Sequence, residues 1–288
     1  MDFLVTQILN GLVYGVLLFL LSAGLSLILG LMHVVNLAHG SFYMLGAFFG
    51  LTVVHLTGNF WLALVIAPVL TSGVGVVVER LFLRQVYQHG YLDQVLLTFG
   101  FTLIFYDLVK WIWGGDIYQL SAPLSLIGSV PVWVASFPKY RLFLIAFGFA
   151  LSILLWLFLD RSRLGAMIRA SVDNSNMAAG IGINVYRLFT SVFALGVGLA
   201  ALGGVAAGPI MGIYAGMDAE ILIVGFIVVV CGGMGSLLGA FVSSILIGEA
   251  DTFGKAYLPD SAMFMIYVVM IVVLLTRPTG LFGIRDQE

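Results

Sequence analysis

Apolar runs of about 20 residues recur along the chain, and they constrain its fold more than any other feature. A run of that length crosses a hydrocarbon core of roughly 30 Å as a helix. Lipid offers the backbone no hydrogen bonds, so a spanning chain must form helices or a closed barrel. The segments read as spans are 8–32, 41–56, 61–79, 94–113, 142–159, 188–208, 219–233, 237–250 and 262–276. Those at 41–56 and 219–233 are short for full crossings, which puts the expected count at eight to ten. Barrel strands would alternate polar and apolar residues over short stretches, and that pattern is absent. Composition agrees: 61% of the 288 residues are hydrophobic and 9% are charged, against about 25% charged in a soluble domain. The expected architecture is all-α, a polytopic transmembrane helical bundle forming one domain over 1–288.

Positive charge sets the orientation, because Lys and Arg are retained on the cytoplasmic side. Arg80 and Arg84 follow the third span, Arg161, Arg163, Arg169 and Arg187 follow the fifth, and Arg277 and Arg285 follow the last. If nine segments cross, these regions share one side, the C-terminus is cytoplasmic and the N-terminus is outside. The loop 114–141, with Asp116, Trp133 and three prolines, then faces outside and is expected to carry a short interfacial helix. The start MDFLVTQ has no basic region before its apolar run, so the first span reads as retained rather than cleaved.

Glycines four apart (Gly11/Gly15, Gly46/Gly50, Gly204/Gly208, Gly212/Gly216 and Gly235/Gly239) predict close helix packing or a sliding surface. The stretches GSFYMLGAF at 40–48 and GSLLGAF at 235–241 share their ends, which suggests an internal inverted repeat of the transporter kind.

Several chemistries lack their residues. No G-x-x-x-x-G-K-[ST] phosphate loop, no H-E-x-x-H and no nucleophile–base pair is written in the chain, so neither an enzyme nor a cofactor or metal site is expected. A net charge of −2 without a basic tract gives no reason to expect nucleic acid. Cys231 is the single cysteine and cannot form an internal disulfide.

Polar residues among the apolar runs are the candidate sites. Asn36, His39, Gly40 and Ser41 cluster between the first two spans, near the cytoplasmic side in this topology. Gly40 would let the backbone turn, and Asn36 and Ser41 would satisfy the backbone groups that the break frees. The cluster is either a capping turn at the water interface or a gate or solute-lining element, with His39 reaching a second chain. Asp107 and Lys110 lie on one helical face and are expected to pair. Glu79 is expected to pair with Arg80 at the interface, and Glu249, Asp251 and Lys255 to face outside.

The inner loop 160–187, DRSRLGAMIRASVDNSNMAAGIGINVYR, is too polar on one side to lie in lipid. Residues 166–180 are expected to form a short helix, either as a solvated connector or as an element that docks in a groove of a soluble partner. The stretch RASVDNSNMAAGIGIN resembles the segment by which permeases of ATP-binding-cassette importers contact their ATPase. With GLVYGVLLFLLSAGLSLILG at 11–30, VVNLAHGSFYMLGAF at 34–48, GGMGSLLGA at 232–240 and RPTGLFG at 277–283, the chain resembles the high-affinity branched-chain amino acid permease family. Within that family it resembles the subunit that pairs with a longer paralogue. It departs modestly, with Asn174-Ser175-Asn176 where more charge is expected.

The resemblance implies a bacterial inner-membrane protein that works with a paralogous permease chain, two cytoplasmic ATPase subunits and an external solute-binding protein. It implies that Arg169 and Asp173 bond the ATPase while Met177, Ala178 and Ile181 fill its groove. The competing reading is a stand-alone carrier coupled to protons or sodium, with Asp107 as its coupling carboxylate.

Overall fold

The computed structural model describes residues 2–87, 89–132 and 135–283, without the side chains of Ala135, Asp173 and Ser175. Trp133 and Arg285 lie outside the described residues. All nine expected spans are helical: α1 (Asp2–Met32), α2 (His39–Thr57), α3 (Phe60–Leu81), α4 (Tyr91–Trp113), α5 (Lys139–Arg161), α8 (Val185–Met211), α9 (Met217–Gly232), α10 (Leu237–Tyr257) and α11 (Ala262–Thr276). Eight are long and apolar enough to cross a membrane, α11 when counted with the 3₁₀ turn at Pro259–Ser261 before it, and α9, with 16 residues, is not among them. Two further helices, α6 (Arg163–Asp173) and α7 (Ser175–Gly180), fill the inner loop.

Helix α1 is the axis of the bundle, with nearly every residue from Gly15 to Met32 buried. It runs antiparallel to α10, Gly11 and Gly15 against Gly248, and Gly30 against Gly235. It also crosses α8, where a Cβ on Gly24 would stand 2.3 Å from the Gly196 carbonyl oxygen. Small residues are what permit these backbone approaches, as close packing in lipid requires. Gly212, Gly216 and Gly235 are not part of a helical stripe. The first two lie in the α8–α9 connection with φ of 77° and 105° and the third before α10 with φ of 79°, a left-handed backbone that favours glycine.

The chain carries an inverted repeat in its topology. Helix α1 packs along α10 and α9, and in matching fashion α8 packs along α3 and α2. The reciprocal pattern holds for the units α1–α3 and α8–α10, which run in opposite directions; it does not extend to α4 and α11, since α11 packs on α10 whereas α4 does not pack in the same way on α3. The resembling stretches 40–48 and 235–241 are not its matching parts: the first opens α2 and the second opens α10, whereas the counterpart of α2 is α9.

Helix ends place 33–38, 80–87, 160–187, 233–236 and 277–283 at one end of the bundle, the arginine-rich end. Leu281 and Phe282 donate backbone bonds to Cys231 and Gly232 at the end of α9, tying the last described residues there. At the opposite end the loop 114–138 holds a 3₁₀ turn at Leu124–Leu126 and a hairpin of β1 (Ser129–Val132) and β2 (Ala135–Pro138). The expected interfacial helix is not formed among the described residues. Pro123, Pro131 and Pro138 favour extended backbone, and Tyr118 pairs with Ile213 through two backbone bonds, so the loop is held down on the α8–α9 connection.

Candidate functional site

The first candidate site begins where α1 ends. His33 takes a positive φ of 52° and stops the helix, after which residues 33–36 run without helical structure. Asn36 Oδ1 accepts from the Ala38 amide at 3.1 Å, a local turn that starts α2. The Leu37 amide is taken by Thr98 Oγ1 of α4 at 3.1 Å. His39 Nε2–H donates to the Leu21 carbonyl at 3.1 Å. Leu21 lies about 16 Å up the helix axis from Met32. The chain has therefore turned back into the bundle, and α2 starts near its middle.

Asn36, His39, Gly40 and Ser41 are all buried. Burial goes against the first of the two readings, a capping turn exposed at the water interface. It also leaves His39 bonded within its own chain rather than presented to a second one. Asn36 does satisfy a freed backbone group, as expected, but Ser41 does not. Its Oγ–H donates to Asp218 Oδ2 at 2.7 Å.

Asp218 is the residue that sequence reasoning missed. It is 3% exposed and stands in the first turn of α9. A Cβ on Gly40 would lie 2.3 Å from its backbone oxygen, so the first turns of α2 and α9 touch. Each half of the repeat thus returns a helix into the interior, and the two N-termini meet at one carboxylate. Both helix dipoles present their positive ends there, which accounts for a buried Asp that has no cation beside it among the described residues. Around the break, Asn36 Nδ2, His39 Nδ1 and Gln94 Oε1 are buried without a hydrogen-bond partner among the described residues. The legible signal was a carboxylate at the head of an apolar run short for a full crossing.

The second candidate is the inner loop. The expected single helix is two, because Asn174 leaves helical geometry and caps α7, its Oδ1 accepting from the Met177 amide at 2.9 Å. Met177 and Ile181 are 69% and 73% exposed, while Ala178 is 2% exposed. Ala178 therefore cannot fill a partner's groove; it packs inward, its carbonyl accepting from the Ile183 amide. Arg169 folds back to donate to the Leu159 and Asp160 carbonyls, with the Asp160 carboxylate at 3.9 Å. It thereby caps the C-terminal end of α5. The side chain of Asp173 lies outside the described residues.

Three further expectations resolve differently. Glu79 is fully buried and turns from Arg80 to accept from Tyr87 OH and Thr190 Oγ1, each at 2.7 Å. Burial, and then the bond to Glu79, pushes the Tyr87 phenol well above its ordinary range. Asp107 is exposed, and Lys110 leans instead on Tyr106, 3.3 Å from its hydroxyl. Tyr106, four residues before Lys110, takes the ammonium in place of Asp107, three before it. Asp251 is buried and pairs with Lys255 at 2.6 Å.

Comparison with known proteins fits this architecture. The family described as "Branched-chain amino acid transport system / permease component" matches residues 7–274. The high-affinity branched-chain amino acid transport system permease protein LivH of Escherichia coli is 28% identical, over 98% of this chain and 96% of that protein. The corresponding permease protein BraD of Pseudomonas aeruginosa is 29% identical, again over 98% and 96%. Among solved structures, PsaBC from Streptococcus pneumoniae in complex with Fab superposes with a TM-score of 0.50 at 13% identity, over 95% of this chain and 92% of that one. At that identity the likeness concerns the fold alone. With its nine apolar helices, its paired returning segments and a match along nearly its whole length, the chain belongs to the permease-component family of branched-chain amino acid transport systems.

Proposed function

We propose that this chain is the membrane-spanning permease subunit of an ATP-binding-cassette importer in a bacterial inner membrane. It translocates branched-chain or related hydrophobic amino acids by alternating access. A paralogous permease completes the pathway, two cytoplasmic ATPases drive it, and an external binding protein delivers the solute. The arginine-rich end, with the C-terminus, is cytoplasmic.

The match over residues 7–274 carries this reading. The exposed pair Met177 and Ile181 supports ATPase docking, since apolar side chains on a polar loop have a partner to gain by burial. Asn36, His39, Gly40 and Ser41 act as the hinge and gate, because they join the two returning helices whose separation would open the interior. Arg169 acts indirectly, by fixing α6 to the end of α5, so that movement of the loop is passed into the membrane.

One observation favours the alternative of a stand-alone ion-coupled carrier: a buried intramembrane carboxylate, now Asp218 rather than Asp107. Purification of the tagged chain in mild detergent, with mass spectrometry of what accompanies it, separates the two. Recovery of ATPase subunits, lost on introducing Met177→Glu and Ile181→Glu together, is the expected result. A chain that purifies alone and moves solute in liposomes without ATP, in a manner abolished by Asp218→Asn, would establish the carrier instead.

A further inference from the structure

A cleft of about 440 Å³ opens at the arginine-rich end, between the end of α3 and the start of α8. Arg80, Arg84 and Arg187 line it, with Asn184, Tyr186 and Thr190. Among the described residues none of the three guanidinium groups forms an ion pair. The nearby carboxylate of Glu79 is buried and spends both oxygens on Tyr87 and Thr190. Arg84 is held in place, its Cζ 4.3 Å from the centre of the Tyr186 ring. The cleft also sits at the first turn of α8, a helix of 27 residues whose dipole is positive there. Three cations and a helix N-terminus around one space call for a phosphate-like anion.

The surface beside the cleft says where that anion comes from. Val65, Val69, Val77 and Leu81 stand four or eight residues apart on α3, are 64%, 66%, 53% and 56% exposed, and lead along the helix to Arg80, with Arg84 in the 3₁₀ turn just past its end. Such a stripe accommodates an acyl chain, and a soluble phosphate has no use for it. We propose that this cleft binds the phosphate headgroup of an anionic phospholipid whose chains lie along α3. In the orientation given above it lies in the cytoplasmic leaflet, but the binding chemistry does not depend on the importer reading.

The test is native mass spectrometry of the full chain, with whatever subunits accompany it, after equilibration with phosphatidylglycerol or phosphatidylcholine. Phosphatidylglycerol is retained by the wild type. Arg84→Ala with Arg187→Ala weakens retention roughly 30-fold, from the loss of two interfacial cations. Arg161→Ala with Arg163→Ala, which removes the same charge elsewhere at that end, leaves it unchanged. Should the Ala pair fail to fold, Arg84→Lys with Arg187→Lys is expected to retain less lipid than wild type, since lysine offers no bidentate fork. Equal loss in the control pair would overturn the site, reducing it to bulk charge. Thermal stabilisation by inorganic phosphate equal to that by phosphatidylglycerol would keep the anion chemistry and overturn the lipid source. Unchanged lipid retention with loss of an accompanying subunit would overturn the proposal in favour of protein docking.

Discussion

Ser41 and Asp218, 177 residues apart in sequence, share a 2.7 Å hydrogen bond that joins the first turns of α2 and α9. Ser41→Ala leaves the buried carboxylate one donor short. The expected cost is about 1.5–3 kcal/mol, the worth of a bond to a charged group. Asp218→Asn still accepts from Ser41 and loses chiefly its match to the helix dipoles, about 0.3–1 kcal/mol. Thermal unfolding of the purified variants should therefore rank Ser41→Ala below Asp218→Asn, and an Asp218→Asn variant at least as stable as the wild type would remove the dipole argument.

Two helical glycines should respond oppositely to alanine. A Cβ at Gly40 meets the Asp218 carbonyl oxygen at 2.3 Å and Leu222 Cβ at 2.9 Å, and neither backbone can retreat far. Gly40→Ala is expected to destabilise by about 1–3 kcal/mol through overpacking. At Gly73 nothing stands within 4 Å, and the residue is helical. Gly73→Ala should be neutral or stabilising by up to about 1 kcal/mol. Melting temperatures in one detergent decide the comparison.

The Tyr87–Glu79 bond predicts an alkaline sensitivity. The folded state holds the Tyr87 phenol above its ordinary value of 10.0. Unfolding at higher pH therefore releases a proton, and stability that is full below pH 10 falls as pH rises beyond it. Tyr87→Phe removes that one proton. Its stability should fall less steeply than that of the wild type above pH 10, by at most about 1.4 kcal/mol per pH unit. Parallel curves from urea or thermal unfolding would mean that the phenol titrates alike in both states.

On the inner loop, exposure separates partner effects from folding effects. Met177→Glu and Ile181→Glu change side chains that are 69% and 73% exposed, so the free chain should keep its melting temperature. Each is expected to weaken ATPase association by about 1.5–3 kcal/mol, the burial value of such a side chain. Ala178→Glu should instead lower loop protection in hydrogen exchange, because a charge replaces a methyl that is 2% exposed. Equal binding losses with no change in exchange at Ala178 would place it in the interface after all.

What the sequence disclosed was set by range. Helix existence depends on contiguous apolar length, so all nine spans were legible, along with the turn made by Asn36. Depth is not a local property. Nothing in HVVNLAHGS tells that His39 meets Leu21 in mid-helix, because that follows from six residues folding back against a partner already in place. Asp218 escaped notice for the same reason: its neighbours Gly40 and Ser41 come from the other half of the repeat. Charge pairs inferred from nearness in sequence fared worst. Glu79 prefers two hydroxyls from other elements to the adjacent Arg80, and Lys110 prefers a ring. The repeat itself was foreseen, but its matching parts are related by contact pattern and not by shared letters.

The central place of α1 has a consequence for biogenesis. It leaves the ribosome first, yet the helices that enclose it, α8 and α10, begin at Val185 and Leu237. At translation rates of about 5–20 residues per second, α1 waits on the order of ten seconds or longer before either can reach it. During that interval every face of it must be tolerated by lipid or by the insertion machinery. Its middle turns, GVLLFLLSAGLSLILG, are polar only at two serines, whose hydroxyls can bond back to their own helix. A helix destined for the protein interior has thus been written as one that can stand alone in the bilayer, and a charge placed there would be felt at insertion before it was felt in packing.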